Sequence, residues 1–479
     1  MPKLKKFLKK NWLIILILFL AAVLRLYKIS DYAEFLGDQG RDVLIVRDFL
    51  KHGDLFFIGP QTSVGNMYLG PFYYYLIAPS LLLANFNPLG PAIFIALVSI
   101  TTVWLIYFVG KKYFNPTTVL IASFLYAISP VAVKYGTFSW NPNIMPFFSL
   151  LFIYLMIEKK YPWAALAFAM CLNSHYLALI LLPVAGVIWL KNYQPKLLKP
   201  TFIAIFLFLL TLIPQILFDI KHQGQNFNSL KTFFTQRETT VNLKAYKSIP
   251  LIPQLFNQIN TSLLAAHQES VGLYISLFLF IGLIALVFKN KFKNKYFIYF
   301  LLWYLFALIG LGLYKQHIYD HYFAFVFPVV FLLFGYLLSQ TPLLVTLPVL
   351  LLATYISVIN LPFKQPGNRQ LANTKAIVET VSELSENKEF NFTLLAKTNY
   401  DPAYVYFIKE ANLPYYPLQD KKTEQLFVVC EPHPDIDCQP INHPEWGIAA
   451  FGWAKIDQEL DQNGVKIYRL LPNPEGKQI

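Results

Sequence analysis

The stretch LGPAIFIALVSITTVWLIYFV occupies residues 89–109 and carries no charged side chain. A helix needs about 20 apolar residues to cross the hydrocarbon core of a bilayer, so this stretch predicts a membrane span. Gly110, Lys111 and Lys112 follow it directly. Because cytoplasmic loops are enriched in Lys and Arg, we expect this span to end on the cytoplasmic side.

Similar apolar runs recur along the first 360 residues, and the basic residues lie in short blocks between them. Placing these blocks in the cytoplasm predicts about eleven transmembrane helices with the N-terminus inside. The other predicted spans are 12–28, 116–133, 142–157, 162–174, 176–190, 200–218, 271–288, 296–313, 322–338 and 341–360. The runs 162–174 and 176–190 are short, and a single long helix over both is the alternative.

Composition agrees with a multi-pass membrane protein. Hydrophobic residues make up 56% of the chain and charged residues 14%, against about 25% charged residues in a soluble domain. The formal net charge of +13 comes from the loop blocks and not from a basic groove interleaved with aromatic residues. Nucleic-acid binding is therefore not expected.

This topology divides the chain into two predicted domains, a transmembrane domain (1–362) and an outer α/β domain (363–479). The long outer connections of the first are 29–88 and 219–270. Residues 68–84 are apolar, but Pro71 and Pro79 interrupt them. We therefore predict a helix lying on the outer surface there, with its tyrosines at headgroup level.

From residue 364 onward the composition is that of a soluble domain. Ile377, Val381 and Leu384 predict one amphipathic helix, and residues 401–412 predict a second. Strands are predicted at 390–396, 426–430 and 465–470. Of the three cysteines, Cys430 and Cys438 are expected to form a disulfide only if this domain faces an oxidising compartment.

The predicted spans have almost no charged residue in their central turns, whereas the first outer loop is acidic. Its densest cluster, GDQGRD at residues 37–42, opens a predicted amphipathic helix that runs to about His52. Asp38, Arg41 and Asp42 stand at i, i+3 and i+4, on one side of that helix. A carboxylate beside a guanidinium suits a reaction on a phosphorylated donor, because the acid accepts a proton and the cation holds the departing phosphate. The alternative is that the acids cap the helix and pair with Arg41 on a solvated face.

Further motifs follow in order along the chain: Arg25-Leu26, then GPFYYYL at 70–76, Ser129-Pro130, and His321-Tyr322-Phe323 leading to Pro328. With the acidic loop, they resemble the GT-C type membrane glycosyltransferases around glycosyltransferase family 39. That group includes dolichyl-phosphate-mannose protein mannosyltransferases and lipid A aminoarabinose transferases. The resemblance implies a GT-C-like all-α membrane bundle, with Asp38 as catalytic base and Arg41 on the donor phosphate.

The remaining candidate residues are polar groups at outer helix ends. His175, Lys315 and His321 are candidates for binding the lipid phosphate, or else mark the headgroup boundary. Candidates for binding substrate are Gln39, Asp42, Asn66, Tyr73 and Asn143. Gln39 stands where the family has a Glu, and Asn143 lies where many members have a second acid. Whether the protein uses a divalent metal therefore stays open, and no other cofactor is expected.

These observations predict an inverting glycosyltransferase of the cytoplasmic (plasma) membrane. Its donor would be a polyprenyl-phosphate sugar, its acceptor a hydroxyl of a lipid, glycan or protein, and its active site would face outward. Two other classes fit a polytopic chain: a flippase or transporter of lipid-linked sugars, and a non-catalytic scaffold. A transporter needs a polar path through the bundle, which spans without charged residues do not favour.

Overall fold

The structure is a computed structural model that describes residues 2–62, 67–236, 240–242, 244–290, 293–436, 438–473 and 475. The chain forms two compact units. The first, which we call the membrane unit, comprises Met1–Ile29, Asp54–Ser80 and Gly90–Pro366. The second, the C-terminal unit, comprises Ser30–Gly53, Leu81–Leu89 and Gly367–Ile479. Two segments from the first hundred residues thus fold with the C-terminal part of the chain.

Helices make up most of the described chain. The first ten are α1 (Pro2–Leu26), α2 (Ile29–Tyr32), α3 (Gly37–His52), α4 (Phe72–Leu83), α5 (Leu89–Tyr113), α6 (Pro116–Ile128), α7 (Pro130–Lys134), α8 (Met145–Ile157), α9 (Tyr161–Ser174) and α10 (Leu181–Lys191). They continue with α11 (Leu198–Thr211), α12 (Ile213–Lys221), α13 (Gln225–Thr235), α14 (Ile252–Ala265), α15 (Glu269–Asn290), α16 (Lys295–Leu311), α17 (Phe327–Gln340) and α18 (Leu343–Ile359). The last three are α19 (Gln370–Leu384), α20 (Pro402–Glu410) and α21 (Trp446–Phe451).

Within the described ranges, three helical segments are long and apolar enough to cross a membrane: Leu89–Tyr113, Glu269–Lys289 and Asp320–Gln340. A bent pair, Pro195–Thr211 with Ile213–Lys221, makes up to four. The predicted class of apolar helical membrane protein is confirmed, but the number eleven is not. Many of the predicted runs form helices of fewer than 18 residues, because prolines and short 3-10 turns interrupt them.

The residues around His175 illustrate such an interruption. Helix α9 ends at Ser174, and a 3-10 turn over Tyr176–Ile180 precedes α10. Residues 162–190 therefore form two helices and not one long span.

The centre of the membrane unit is α17. Every residue from Phe327 to Leu338 is buried, and the helix packs extensively against α6. Helix α14 lies in the predicted outer connection 219–270. Its apolar stripe of Leu255, Ile259 and Leu263 is buried in the same core, so this helix packs against protein.

The C-terminal unit contains a four-stranded sheet in the order β1-β2-β4-β3. The strands are β1 (Asn391–Leu395), β2 (Leu426–Cys430), β3 (Ala454–Gln462) and β4 (Val465–Pro472). β1 and β2 are parallel, and the other two pairs are antiparallel. The predicted helices and three predicted strands are present, and Cys430 and Cys438 form a disulfide with their Cα atoms 5.7 Å apart.

Candidate active site

Helix α3 carries the predicted catalytic motif, and its first turn is held by Gln39. The Gln39 side-chain oxygen accepts a hydrogen bond from the Leu36 N–H at 2.9 Å, which satisfies one backbone donor at the helix start. Gln39 is buried. The structure therefore places this predicted substrate-binding residue in the helix cap, a role the sequence assigned to the acids.

Asp38, Arg41 and Asp42 meet as the spacing predicts. Arg41 donates from Nη1 to Asp38 Oδ1 at 2.9 Å, and from Nε and Nη2 to Asp42 Oδ1 at 3.0 and 2.7 Å. The Asp42 side chain is fully buried, whereas 32% of the Asp38 side chain is exposed. The face is therefore not simply solvated: Asp42 anchors the guanidinium from inside, and Asp38 is the accessible carboxylate.

The apolar stripe of α3 packs on protein and not on lipid. Val43 and Val46 are buried, and α3 packs along α20 in the same unit. A Cβ on Gly40 would lie 2.4 Å from the Ala403 backbone, so the two helices approach as closely as a glycine allows. The stripe of this predicted amphipathic helix is therefore covered by a helix that lies far along the sequence.

Tyr400 is a neighbour of Asp38 that the sequence did not reveal. It lies between β1 and α20, and its hydroxyl donates a hydrogen bond to Asp38 Oδ1. Burial and the adjacent Asp38 carboxylate raise the pKa of Tyr400, so its hydroxyl stays protonated as a donor. A contact between residues 362 positions apart leaves no local pattern in the sequence.

His175 lies at the C-terminal end of α9 in the membrane unit. Its Nδ1 accepts a hydrogen bond from the Leu177 N–H at 3.2 Å, which assigns the ring proton to Nε2. Burial lowers the pKa of His175 to about 4. His175 is therefore a neutral hydrogen-bond donor.

His321 lies among aromatic rings in the same unit. Its ring centroid is 4.4 Å from that of Trp140 and 4.5 Å from that of Tyr322. The Tyr322 ring is also 5.0 Å from the His175 ring. The structure thus brings two predicted phosphate-binding residues together on one tyrosine.

Lys315 is on the exposed segment before His321, and its backbone N–H donates to the Thr240 carbonyl at 3.0 Å. His317, two residues further along, lies with its ring centroid 4.4 Å from that of Tyr319. The Tyr319 ring in turn stacks on His321 at 5.7 Å. Ring contacts, and not charge, therefore connect this turn to His321.

Asp320 is an acid in this region that the sequence analysis passed over. Its Oδ2 lies 3.0 Å from His267 Nε2, and its Oδ1 accepts a hydrogen bond from the Ser262 hydroxyl at 2.9 Å. The hydrogen bond to Asp320 raises the pKa of His267. The adjacency of Asp320 to His321 at an outer helix end was the available signal.

Two other candidates, Asn143 and Tyr73, belong to the membrane unit. Asn143 is buried and donates from Nδ2 to the Phe138 carbonyl at 2.9 Å, and its Oδ1 has no hydrogen-bond partner among the described residues. The hydroxyls of Tyr73 and Ser139 lie 2.7 Å apart. Tyr73 and its neighbour Tyr74 are buried, so these side chains pack inside the protein, and their position at headgroup level stays a prediction. Asn66 lies outside the described residues.

In the described part of the chain, no group of three or more His, Cys, Asp or Glu side chains is placed to hold a metal ion. The side chains that surround Asp38 are Arg41 and Tyr400, which are hydrogen-bond donors.

Part of the chain matches a known protein family. Residues 69–218 match the family model described as dolichyl-phosphate-mannose-protein mannosyltransferase. The predicted resemblance is confirmed. No curated protein sequence matches the chain.

Solved structures extend the similarity over nearly the whole chain. The fold is similar to that of ArnT from Cupriavidus metallidurans bound to undecaprenyl phosphate, with a TM-score of 0.63, 11% identity, and coverage of 97% of this chain and 99% of that one. It is also similar to the oligosaccharyltransferase AglB from Archaeoglobus fulgidus in complex with an inhibitory peptide and a dolichol-phosphate, with a TM-score of 0.51, 12% identity, and coverage of 85% of this chain and 64% of that one. At these identities the likeness shows the fold, which is the predicted GT-C glycosyltransferase fold.

Proposed function

We propose that this protein transfers a sugar from a polyprenyl-phosphate donor to an acceptor hydroxyl at the outer face of the cytoplasmic membrane. One observation carries the proposal: Asp38 presents a partly exposed carboxylate beside Arg41, while Asp42 is fully buried behind the same guanidinium. An accessible carboxylate next to a fixed cation combines a proton acceptor with a group that attracts phosphate.

In the proposed reaction, the acceptor oxygen attacks the anomeric carbon of the donor sugar. The bond from that carbon to the phosphate oxygen breaks, and the electron pair leaves with the polyprenyl phosphate. The acceptor proton passes to Asp38. A single displacement inverts the anomeric centre. Because phosphate is a good leaving group, the step needs one carboxylate as base and no general acid.

The candidates for binding phosphate, taken in each unit separately, include hydrogen-bond donors as well as charges. Arg41 offers a guanidinium, although two carboxylates share it. In the membrane unit, His175 offers a neutral Nε2–H, and His321 lies on the same Tyr322 ring. Lys315 supplies a further cation on an exposed segment. Neutral and charged donors to phosphate oxygens both stabilise the departing group.

The solved relatives support a polyprenyl carrier. ArnT was solved bound to undecaprenyl phosphate, and AglB with a dolichol-phosphate and a peptide. The matching family model is that of a mannosyltransferase whose donor is dolichyl-phosphate-mannose. For this chain we propose the same class of lipid-phosphate donor, with a lipid, glycan or protein hydroxyl as acceptor.

The proposed topology has about eleven spans, the N-terminus inside, and the active site and residues 363–479 outside. Lysine blocks between the apolar runs support the cytoplasmic loops. The Cys430–Cys438 disulfide supports an oxidising compartment for the C-terminal residues.

Purified protein in liposomes that contain radiolabelled polyprenyl-phosphate sugars tests the proposal. Lipid, glycan and peptide acceptors are added separately. We expect the wild type to transfer label, Asp38→Asn to lose at least about a hundredfold of that rate, and Asp54→Asn, an exposed acid after α3, to match the wild type. Equal transfer by Asp38→Asn would overturn the assigned base. Movement of the lipid across the bilayer without transfer would identify a flippase instead.

A further inference from the structure

Tyr400 and Arg41 fix the same oxygen of Asp38. The Tyr400 hydroxyl donates to Asp38 Oδ1, and Arg41 Nη1 donates to that oxygen at 2.9 Å. Two donors on one carboxylate oxygen restrict rotation of the group about its χ2 torsion. The second oxygen, Oδ2, then points in a defined direction.

The ring of Tyr400 packs so closely on Gly37 that no side chain fits at position 37. A Cβ built on Gly37 would lie 2.4 to 2.5 Å from Cγ, Cδ2 and Cε2 of the Tyr400 ring. Real Cβ atoms do not approach so closely, so any other residue before Asp38 would displace the ring. The helix start and the tyrosine are thus fitted to one another.

The loop that carries Tyr400 is tied to the strand β2. The Tyr400 N–H donates to Asn399 Oδ1 at 2.9 Å, and Asn399 Nδ2 donates to Glu431 Oε1 at 2.6 Å. The Tyr404 hydroxyl donates to that same Glu431 oxygen at 2.7 Å. Glu431 directly follows β2, and its N–H donates to the Leu395 carbonyl at 2.9 Å. A hydrogen-bonded network therefore fixes the position of Tyr400.

We propose that Tyr400 is a positioning residue for the base: it holds Asp38 Oδ1 together with Arg41, so that Oδ2 accepts the proton of the acceptor hydroxyl. The inference rests on the proposed function, because it assigns Asp38 the role of base. Tyr400 keeps its own proton throughout and contacts Asp38, not the acceptor. A base that is held in a near-attack arrangement increases kcat and leaves the affinity for substrate unchanged.

Kinetics of Tyr400→Phe test the proposal in the same liposomes. We expect kcat to fall about tenfold or more, as for loss of a hydrogen bond to a charged group, with the KM for the acceptor within about twofold of wild type. The acidic limb of the pH–rate profile should move to higher pH, because the ionised carboxylate loses a donor. Tyr416→Phe, an exposed tyrosine of the same unit, is the control and should match wild type in all three measurements.

Two kinetic outcomes would overturn the inference. One is an unchanged kcat. The other is a raised acceptor KM with an unmoved pH profile, which would mark the Tyr400 hydroxyl as part of the acceptor site. The activity of Asp38→Asn separates the two proposals: if it stays active, the proposed function fails, whereas an inactive Asp38→Asn beside a fully active Tyr400→Phe defeats only the positioning role.

A measurement that needs no turnover tests the contact itself. With 3-fluorotyrosine at position 400 of the full chain, the fluorine resonance reports ionisation of the phenol. We expect Asp38→Asn to lower the midpoint of that titration, because a negative charge that disfavours the phenolate is lost. An unchanged midpoint would show that the hydrogen bond between Tyr400 and Asp38, on which the inference depends, does not form.

Discussion

The guanidinium of Arg47 donates from Nε to a carboxylate oxygen of Glu410 at 2.8 Å. This pair joins α3 to α20, and Arg47 also donates from Nη2 to the Lys409 carbonyl at 2.8 Å. Arg47 is 5% exposed, whereas 30% of the Glu410 side chain is exposed, and its carboxylate also contacts Lys51 at 2.9 Å. The helix that begins at the candidate base is therefore anchored by residues near the end of the chain, and changes in α20 should reach Asp38.

A double-mutant cycle on Arg47 and Glu410 measures that anchor. With Arg47→Ala, Glu410→Ala and the double variant, we expect a coupling free energy of about 1–2 kcal/mol, since the hydrogen bond is charge-assisted and the Arg47 guanidinium is buried. Thermal unfolding of the purified protein in detergent supplies the values. The exposed pair Lys375–Glu379, 3.7 Å apart on α19, is the control and should give about 0.5 kcal/mol or less. Equal coupling in both cycles would contradict the anchoring role.

The buried carboxyl of Asp401 should make the free energy of unfolding depend on pH. Burial raises the pKa of its carboxyl to about 6 from an ordinary 3.8, so the folded state favours the protonated form. Its stabilising contribution is complete below about pH 4 and is lost as the pH rises through about 6. Asp401 Oδ1 accepts a hydrogen bond from the Leu394 N–H, which an asparagine oxygen can also accept.

We therefore expect Asp401→Asn to stabilise the protein by about 1–3 kcal/mol at pH 7.5 and by much less at pH 4.5. Melting temperatures at the two pH values check this. Asp420→Asn, at an exposed acid of the same unit, should produce no such difference. A shift of equal size at both pH values would show that desolvation of the charged Asp401 is not the cause.

A substitution of His175 can distinguish the structural hydrogen bond that its Nδ1 accepts from a functional one that its Nε2–H donates. Asparagine at this position keeps an acceptor for the Leu177 N–H but removes the Nε2–H donor. We expect His175→Asn to fold normally and to raise the KM for the lipid-phosphate donor by about tenfold, as for loss of one hydrogen bond to a charged oxygen. Titration with the donor in the transfer assay measures the change. A wild-type KM would assign His175 to the turn alone.

The disulfide tests the topology. Freshly isolated membranes, blocked with an alkylating reagent before digestion, should yield the peptides of Cys430 and Cys438 linked to each other, because the proposed outer side is oxidising. Alkylated free thiols at both positions would place this unit on the reducing side and contradict the proposed orientation. Replacing both cysteines with serine should cost about 2–3 kcal/mol of stability, given the short loop that they close. Dithiothreitol should then have no further effect on the variant.

Local patterns identified most elements but not their partners. β3 was missed because its sequence, AKIDQELDQ, is almost wholly exposed at the sheet edge, so apolar alternation is absent. Asn463 and Gly464, both at positive φ, mark the hairpin after it and were the signal that could have revealed it. The stripe on α3 and the tyrosines of α4 were recognised as apolar, but a stripe does not say whether lipid or protein covers it.

For the candidate site, spacing alone predicted the Asp38–Arg41–Asp42 cluster, since neighbours at i+3 and i+4 meet on any helix. Tyr400, Glu410 and Asp320 could not be placed in the same way, because their contacts depend on the tertiary fold. Long-range partners of a site need either a structure or an evolutionary signal. The resemblance to family 39 implied the roles of Asp38 and Arg41 but none of these long-range neighbours.

Arg25 leads to a final prediction about the membrane unit. Its side chain is fully buried and donates from Nε to the Ser99 hydroxyl at 2.7 Å and from Nη1 to the Ala127 carbonyl at 2.9 Å. The guanidinium thus connects α1 with α5 and with the end of α6. A lysine cannot reach acceptors on both sides, since it lacks the planar fork of arginine.

We expect Arg25→Lys to destabilise the protein by about 2–4 kcal/mol, because a buried charge loses part of its hydrogen bonding. Lower yield of folded protein and a reduced melting temperature in detergent should both appear. Lys28→Met, which removes an exposed cation just after α1, is the matched control and should behave as wild type. Equal stability of Arg25→Lys would contradict the role of the arginine in joining these helices.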